Sequence, residues 1–257
     1  MQSNYLSLKT LLAACLFLFT TATATAQLQG DIKFGFQASP TFSWMSSDNN
    51  LINSDGTNLG LKLGIIGEYY FTDQYSFHTG LGFHFNAGGT LRYDDEFTRV
   101  DIWREALDEV LPVGGVRDFD GGNSYKYSLQ YLEVPVGLTL RTREFGYIRY
   151  FVRPSLHLGV LTQSRGEISG YTGLGEDERF NISTEVNSVN LGWSIGGGIE
   201  YSISTSTAIV AGISYQSGFA DITTDKDTEI TRPGRDARED DSRGKTNALV
   251  ITLGVMF

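Results

Sequence analysis

Apolar residues alternate with small or polar residues along most of the chain. From Val189 to Tyr201 every second residue is apolar except Gly197, and the residues between them are Asn, Gly, Ser or Glu. The last nine residues, 249–257, follow the same pattern and end on the apolar face with Phe257. A period of two is typical of a β-strand with one apolar face.

The same pattern predicts eight strands, each long enough to cross a membrane, which takes about 9–11 tilted residues. The predicted strands are 33–44, 59–71, 75–86, 126–141, 147–162, 188–203, 206–218 and 246–257. The connections alternate in length: the first, third, fifth and seventh are long, starting with a loop at 45–58, and the others are short. Long external loops and tight periplasmic turns alternate in this way in outer-membrane barrels.

The face opposite the apolar one combines Gly and Ser with charged residues. In a soluble sandwich or barrel the more apolar face would point inward, whereas small residues and paired charges suit a narrow lumen. We therefore predict an all-β fold, an eight-stranded antiparallel up-and-down transmembrane β-barrel with outer-membrane lipid around it.

Five inward charges are expected to form a structural network in the lumen. Counted from the short turns, Glu68, Arg149 and Glu200 fall near the periplasmic end, and Glu133 and Arg153 fall near mid-barrel on neighbouring strands. An unpartnered charge is costly in a water-poor interior, so we predict an ion pair between Glu133 and Arg153. A polar conduit is the alternative, but side chains fill the interior of an eight-stranded barrel.

The second long loop contains apolar residues at helical spacing. They recur three or four positions apart from Phe97 to Leu111, Asp95 is available as a cap and Pro112 follows. This pattern predicts a short amphipathic helix over 96–111 in the second external loop. The helix would either cover the barrel mouth or bind a partner.

The N-terminus has the organisation of a secretory signal peptide. Lys9 precedes an apolar run at 11–20, and Ala24-Thr25-Ala26 is a small-x-small cleavage site. We predict cleavage after Ala26, a signal peptide at 1–26 and an outer-membrane β-barrel domain at 27–257.

Charge and cysteine content exclude several classes of protein. The chain has 20 Lys and Arg against 30 Asp and Glu; loss of residues 1–26 removes Lys9 and no acid, which leaves 19 against 30 and a net charge of −11. Such a chain has no basic surface for nucleic acid. The single cysteine, Cys15, excludes a disulfide framework and a cysteine-rich zinc site. It also lies inside the apolar run, whereas a lipidated cysteine would close that run.

The sequence supports neither an enzyme nor a cofactor or metal site. Gly244-Lys245-Thr246 resembles the end of a phosphate-binding loop, but Glu239 occupies the position of its first glycine. His78 and His84 share a strand face but are separated by roughly 20 Å, which is too far to share an ion. The loop carboxylates lack a positioned partner for acid–base catalysis. We expect no catalytic, cofactor-binding or metal site.

Three short motifs support a family resemblance. They are Tyr131-Leu132-Glu133-Val134-Pro135, which matches a Tyr-Leu-Glu-aliphatic-Pro signature, Phe34-Gly35-Phe36, and the terminal Leu253-Gly254-Val255-Met256-Phe257. In these motifs the chain resembles the PorT-like outer-membrane β-barrel proteins of Bacteroidota. The resemblance implies an exported eight-stranded barrel in the cell outer membrane, and it assigns no activity.

We therefore expect a non-enzymatic outer-membrane protein with a closed, side-chain-filled lumen. Its external loops would contact the cell surroundings or an envelope protein partner. Two alternatives remain open. One is a narrow pore or small-solute transporter, and the other is an accessory component of a protein-secretion and gliding system, the role of the namesake of the family.

Overall fold

The computed structural model describes residues 30–110, 119–169, 179–224 and 229–257, without the side chains of 109 and 110. In chain order the elements are β1 (Ile32–Ser47), β2 (Ile52–Tyr70), β3 (Tyr75–Tyr93), β4 (Arg99–Asp101), α1 (Arg104–Val110), β5 (Ser124–Arg141), β6 (Ile148–Ser169), β7 (Phe180–Asn181), β8 (Val189–Ser202), β9 (Ala208–Gly218), β10 (Glu229–Thr231), β11 (Arg238–Glu239) and β12 (Gly244–Met256). No helix in these ranges is long and apolar enough to span a membrane.

Eight long antiparallel strands close into a barrel. Their order is β1, β2, β3, β5, β6, β8, β9 and β12, and β12 pairs with β1 to complete the ring. In the closing ladder Phe36 faces Val255, while on its other side Phe36 faces Ile65 of β2. The predicted eight-stranded barrel is confirmed.

The apolar strand faces point outward over a continuous band. Leu59, Phe36 and Leu156 are each about three-fifths exposed, with values of 66%, 59% and 61%. In a protein dissolved in water such a large apolar surface would be costly, so this band is the part of the barrel that meets the acyl chains.

Aromatic rings mark both ends of the apolar band. At the external end the ring of Tyr215 lies 6.2 Å from that of Trp44 and 5.9 Å from that of Trp193. At the periplasmic end Phe71 and Tyr75 stack with ring centroids 6.3 Å apart. Aromatic girdles at the two interfaces are typical of membrane barrels.

Four strands continue beyond the band on the external side. The loop predicted at 45–58 is wrong in extent, because residues 52–58 extend β2 and pair with the end of β3, where Ile52 faces Tyr93. Similarly, β3 extends to Tyr93 and β6 extends to Ser169, while β5 begins at Ser124. Outside the membrane a strand needs no apolar outer face, so the alternation of apolar and polar residues no longer identifies the strand there.

A β-bulge in β3 changes which residues face the lumen. The register with β5 shifts between His84 and Ala87, and Asn86 takes a left-handed conformation with φ of 56° while its amide donates to the Leu59 carbonyl at 2.8 Å. Gly88 follows with φ of 101°, and a Cβ there would lie 2.3 Å from the Tyr127 carbonyl oxygen. An extra residue reverses the alternation, so the strand beyond the bulge turns apolar side chains into the lumen.

The predicted helix at 96–111 is shorter than expected. Its first part is instead the strand β4, in which Val100 pairs with Ile230, and Trp103 with φ of 57° separates that strand from α1. Asp95 does not cap the helix; it accepts hydrogen bonds from Arg92. Residues 111–118 lie outside the described ranges. Of the two predicted roles, packing over the barrel mouth is the one that the described residues show.

Candidate functional site

The lumen is divided into three regions along its length. We name them the periplasmic charge layer (Glu68, Arg141, Arg153 and Glu200), the central charge layer (Lys62, His84, Glu133 and Gln216) and the external aromatic seal (Tyr93, Trp103, Tyr125, Tyr127 and Phe180). Alternation along the barrel strands places most of these side chains inward, opposite the lipid-facing apolar residues. Trp103 and Phe180 instead come from the connections on the external side.

Arg141 organises the periplasmic charge layer. Its guanidinium forms an ion pair with Glu68, and its Nε lies 2.8 Å from both carboxylate oxygens of Glu200. Its Nη1 donates to Ser76 Oγ at 2.6 Å, and the Tyr70 ring lies 4.7 Å from the guanidinium carbon. Arginine is suited to this position because its planar donors can meet several acceptors at once.

Arg153 provides the second cation of this layer. It donates from Nη2 to Glu68 Oε1 at 2.7 Å and from Nε to Thr139 Oγ1 at 3.1 Å. Thr139 in turn lies 3.2 Å from His78 Nδ1, and His78 Nε2 lies 2.9 Å from Ser155 Oγ. The two guanidinium groups therefore share Glu68, and the hydroxyl and imidazole groups continue the network toward mid-barrel.

Lys62 joins three strands of the wall, β2, β5 and β9, in the central charge layer. Lys62 Nζ donates to Glu133 Oε2 at 2.6 Å and to Gln216 Oε1 at 2.5 Å. His84 Nδ1 lies 3.1 Å from the other Glu133 oxygen, and its Nε2 lies 3.2 Å from Thr41 Oγ1. The two layers together balance three cationic side chains with three carboxylates, as expected where solvation by water is scarce.

A cavity of about 90 Å³ lies between the two charge layers. Polar side chains such as Gln37, Ser39, Arg153 and His157 line it, and Ser39 Oγ has no hydrogen-bond partner in the described residues. Because water occupies about 30 Å³ per molecule in the liquid, the volume suits a few water molecules.

Aromatic and aliphatic side chains close the lumen on the external side. The Trp103 ring makes edge-to-face contacts with Tyr127, Tyr125 and Phe180 at centroid distances of 4.8, 5.3 and 5.7 Å. Its indole N–H donates to the Tyr127 hydroxyl at 3.2 Å. Among the described residues, the buried cluster consists of Met45, Ile52, Ala87, Leu91, Tyr93, Phe97, Val100, Ile102, Trp103, Ala106, Leu107, Phe119, Tyr125, Tyr127, Leu129, Tyr131, Ile168, Phe180, Ile182, Val186, Ile222 and Ile230.

The close packing of the seal explains why residue 166 is a glycine. A Cβ on Gly166 would lie 2.6 Å from a methyl carbon of Ile182 and 2.7 Å from the Trp103 ring. The described parts of the external loops, among them β4, α1 and β7, are thus packed against the inner wall of the barrel, and together with the seal they form a cap over it.

The predicted ion pair between Glu133 and Arg153 is wrong. Glu133 binds Lys62 and His84, whereas Arg153 binds Glu68. The prediction compared neighbouring strands only, but the lumen is narrow enough for Lys62 of β2 to reach across β3 to Glu133 of β5.

The other predicted charges divide between the network and the rim. Glu68 and Glu200 lie in the periplasmic charge layer, where both bind Arg141. Arg149 lies instead at the periplasmic mouth, where it pairs with Glu144 of the β5–β6 turn at 2.8 Å. Sequence reasoning did not assign Arg141 to the network, although its odd number in β5 places it on the same face as Glu133.

The histidines are held by hydrogen bonds within the barrel wall. His78 and His84 have the partners described above, and His157 Nε2 lies 2.6 Å from Ser194 Oγ. Among the residues that the structure describes, no group of three His, Cys, Asp or Glu side chains is placed to hold a metal ion. The geometry is that of a packed, electroneutral interior.

Solved structures similar to this chain are outer-membrane barrels of low sequence identity. Neisserial surface protein A is 11% identical, with 87% of this chain and 95% of that chain covered and a TM-score of 0.42. A major outer membrane protein from Thermus thermophilus is 12% identical, with coverage of 88% and 100% and a TM-score of 0.41. Ail of Yersinia pestis is 12% identical, with coverage of 88% and 98% and a TM-score of 0.34.

No curated protein sequence matches the chain. A family model does match it, over residues 25–257, and that model is described as the outer membrane protein beta-barrel domain. The match spans every strand of the barrel. The chain therefore belongs to the outer-membrane β-barrel protein family.

Proposed function

We propose that this protein is a closed, non-enzymatic barrel that holds a folded cap on the outer face of the membrane. The observation that carries the proposal is the external aromatic seal. Trp103, Tyr125 and Tyr127 are each at most 3% exposed and fill the lumen where a pore would need an opening. Below them, the charge layers occupy most of the remaining interior.

A narrow pore is the alternative that the cavity between the charge layers favours. A solute leaving this cavity would have to pass Lys62 and Glu133 on one side or Arg141 and Glu68 on the other. Each exit breaks a buried ion pair, and removing one partner of such a pair typically costs about 3–5 kcal/mol. That cost supports the closed barrel over the pore.

Conductance across a planar lipid bilayer tests the proposal. We expect the refolded full chain to insert without producing stable current steps in concentrated potassium chloride, since the lumen is sealed at its external end. Insertion is checked separately by flotation with vesicles and by the heat-dependent gel mobility of folded barrels. A porin in the same bilayer serves as the positive control. Reproducible steps that scale with the amount of inserted chain would identify a pore.

We also propose that the chain is exported with cleavage after Ala26 and belongs to the PorT-like branch of the family. The motif that supports this branch, residues 131–135, lies in β5, with Tyr131 and Glu133 inward. Mass spectrometry of the protein extracted from the outer membrane is expected to find a chain that begins at Gln27. A mass that retains residues 1–26, or a lipid on Cys15, would contradict the cleavage.

The cap is proposed as the surface that an envelope protein partner would contact. Its support is the ordered packing of α1, in which the buried Glu185 carboxylate accepts from the Ala106 backbone N–H at 3.1 Å. Cross-linking in intact cells tests this surface. Cross-links of the cap to a secretion component would favour the accessory role, and cross-links confined to lipid-facing positions would count against any partner of the cap.

A further inference from the structure

The barrel wall is taller on one side than on the other. Strand β6 has 22 residues and β5 has 18, whereas β9 has 11 and β12 has 13. Beyond the apolar band, the outward face of β5 and β6 is polar. We name this surface the external wall, defined by Lys126, Ser128 and Gln130 of β5 and by Gln163, Arg165 and Glu167 of β6.

Among the side chains that the structure describes, the net negative charge lies on the external part of the protein. Six of the 23 described acidic side chains lie in the lumen or at the periplasmic end, which leaves 17 outside: the six are Asp31, Glu68, Asp73, Glu133, Glu144 and Glu200. Six of the 17 described basic side chains also lie there, which leaves 11 outside: the six are Lys33, Lys62, Arg141, Arg143, Arg149 and Arg153. The described external part therefore has a net charge of −6.

The external wall departs from this acidic background. Glu167 is shared by two cations, with Lys126 Nζ 3.3 Å and Arg179 Nε 3.5 Å from the same carboxylate oxygen. Arg165 is exposed. With the Gln163 amide turned so that its oxygen faces the guanidinium, that oxygen accepts a hydrogen bond from Arg165 Nε at 2.8 Å. Two cations thus pair with one carboxylate, whose side chain is only 10% exposed, and Arg165 adds a third positive charge on the same face of the wall.

The two strand cations lie within reach of one ligand. Arg165 pairs in register with Ser128, and Lys126 pairs with Glu167, so Lys126 and Arg165 are diagonal neighbours on one face. Diagonal positions on such a face are about 7–8 Å apart, a distance that two long flexible side chains can close around a single phosphate group.

The two cations lie just above the lipid headgroups. Leu132 is the last apolar outward residue of β5; Ser128, at the level of Arg165, lies four residues farther out, and Lys126 lies six residues farther out. At about 3.3 Å per residue and a tilt of about 40°, the two backbone positions are roughly 10 and 15 Å above the hydrocarbon. The headgroup layer is about 5–8 Å thick on each side, and basic side chains can extend along the wall toward it.

We propose that the external wall binds the phosphorylated sugar headgroup of an outer-leaflet glycolipid. Lys126 and Arg165 hold the phosphate, and the side chains of Ser128, Gln130 and Gln163 offer hydrogen bonds to sugar hydroxyls. The lipid-facing band continues directly into this surface, so a lipid whose acyl chains lie against the band presents its headgroup to the wall. The surrounding acidic surface would disfavour phosphate elsewhere on the cap.

Binding of diphosphoryl lipid A to the full chain in neutral detergent micelles, counted by native mass spectrometry, tests the proposal. The test variant is Lys126→Gln with Arg165→Gln. The matched control is Arg235→Gln with Arg238→Gln, which removes two exposed cations from the β10–β11 hairpin. Arg179 is left unchanged because acidic residues 176–178 precede it in the sequence, outside the described residues. Folding of each variant is verified by heat-dependent gel mobility.

We expect the wild type and the control to bind diphosphoryl lipid A about tenfold more tightly than its dephosphorylated form, the equivalent of one charge-assisted contact of about 1.4 kcal/mol. The test variant should lose this preference. Equal loss in the control, or no loss in the test variant, would overturn the proposal. Inorganic pyrophosphate should compete poorly, since it lacks the sugar and acyl contacts; competition at equal concentration would assign the site to free phosphate instead.

Discussion

Arg141 and Glu68 form an ion pair in which neither side chain is exposed to solvent. The pair joins β5 to β2 across the lumen, and Glu200 of β8 binds the same guanidinium. Three strands that are not neighbours in the sheet are thereby connected through one side chain. The periplasmic half of the barrel is held together by its interior as well as by the backbone ladders of its wall.

Arg141→Met is expected to destabilise the barrel strongly. It would leave Glu68 and Glu200 without their shared cation, a change that typically costs about 3–5 kcal/mol in a buried site. The free energy of unfolding can be measured by urea titration in lipid vesicles. Arg149→Gln is the matched control, because the exposed pair of Arg149 with Glu144 is worth at most about 1 kcal/mol. Similar losses in both variants would contradict the buried network.

Glu133 is expected to be energetically coupled to Lys62 and not to Arg153. A double-mutant cycle of Glu133→Gln with Lys62→Met should give an interaction free energy of at least about 1 kcal/mol, as for residues in one network. The parallel cycle with Arg153→Met should be additive to within about 0.5 kcal/mol. The opposite ranking of the two cycles would favour the pairing that the sequence predicts.

Gly166→Ala is expected to loosen the cap without opening the barrel. The new methyl group would collide with Ile182 and Trp103, and overpacking of this kind typically costs about 1–3 kcal/mol. Limited proteolysis should cut the external loops faster, while the heat-dependent gel mobility of the barrel remains.

The control for this variant is Gly67→Ala on the lipid-facing side of β2. A Cβ there would meet Phe34 at an ordinary contact distance of 3.6 Å. If the external loops of Gly166→Ala resist proteolysis as well as those of the wild type, the Trp103 ring does not pack against the wall as described.

The sequence alone predicts the barrel because the membrane imposes a simple rule on each strand. Residues such as Leu61, Leu63 and Ile65 must face lipid, so alternation persists for the thickness of the apolar band. Outside the band this rule ends. The external extensions of β2 and β3 were therefore not predicted, and neither was the bulge at Asn86, which depends on a left-handed residue and a single hydrogen bond.

The partners of the lumen charges could be predicted only in part. Alternation identifies Glu68, Glu133 and Glu200 as inward, but their partners depend on the stagger of strands around the closed barrel and on side-chain reach. Lys62 reaches Glu133 across an intervening strand, a relationship that depth along neighbouring strands does not reveal. The β4 strand was missed because its apolar residues also fit a helical period over so short a segment.

Quenching of tryptophan fluorescence by brominated lipids is the most direct test of the orientation of the strand faces. The chain has three tryptophans, of which Trp44 and Trp193 lie on the outward face and Trp103 is buried in the seal. With bromine near the headgroup end of the acyl chains, the Trp103→Phe variant, which keeps Trp44 and Trp193, should lose most of its fluorescence through quenching. The double variant Trp44→Phe with Trp193→Phe, which keeps Trp103, should lose little. Strong quenching of Trp103 together with unquenched Trp44 and Trp193 would show that the apolar faces point inward.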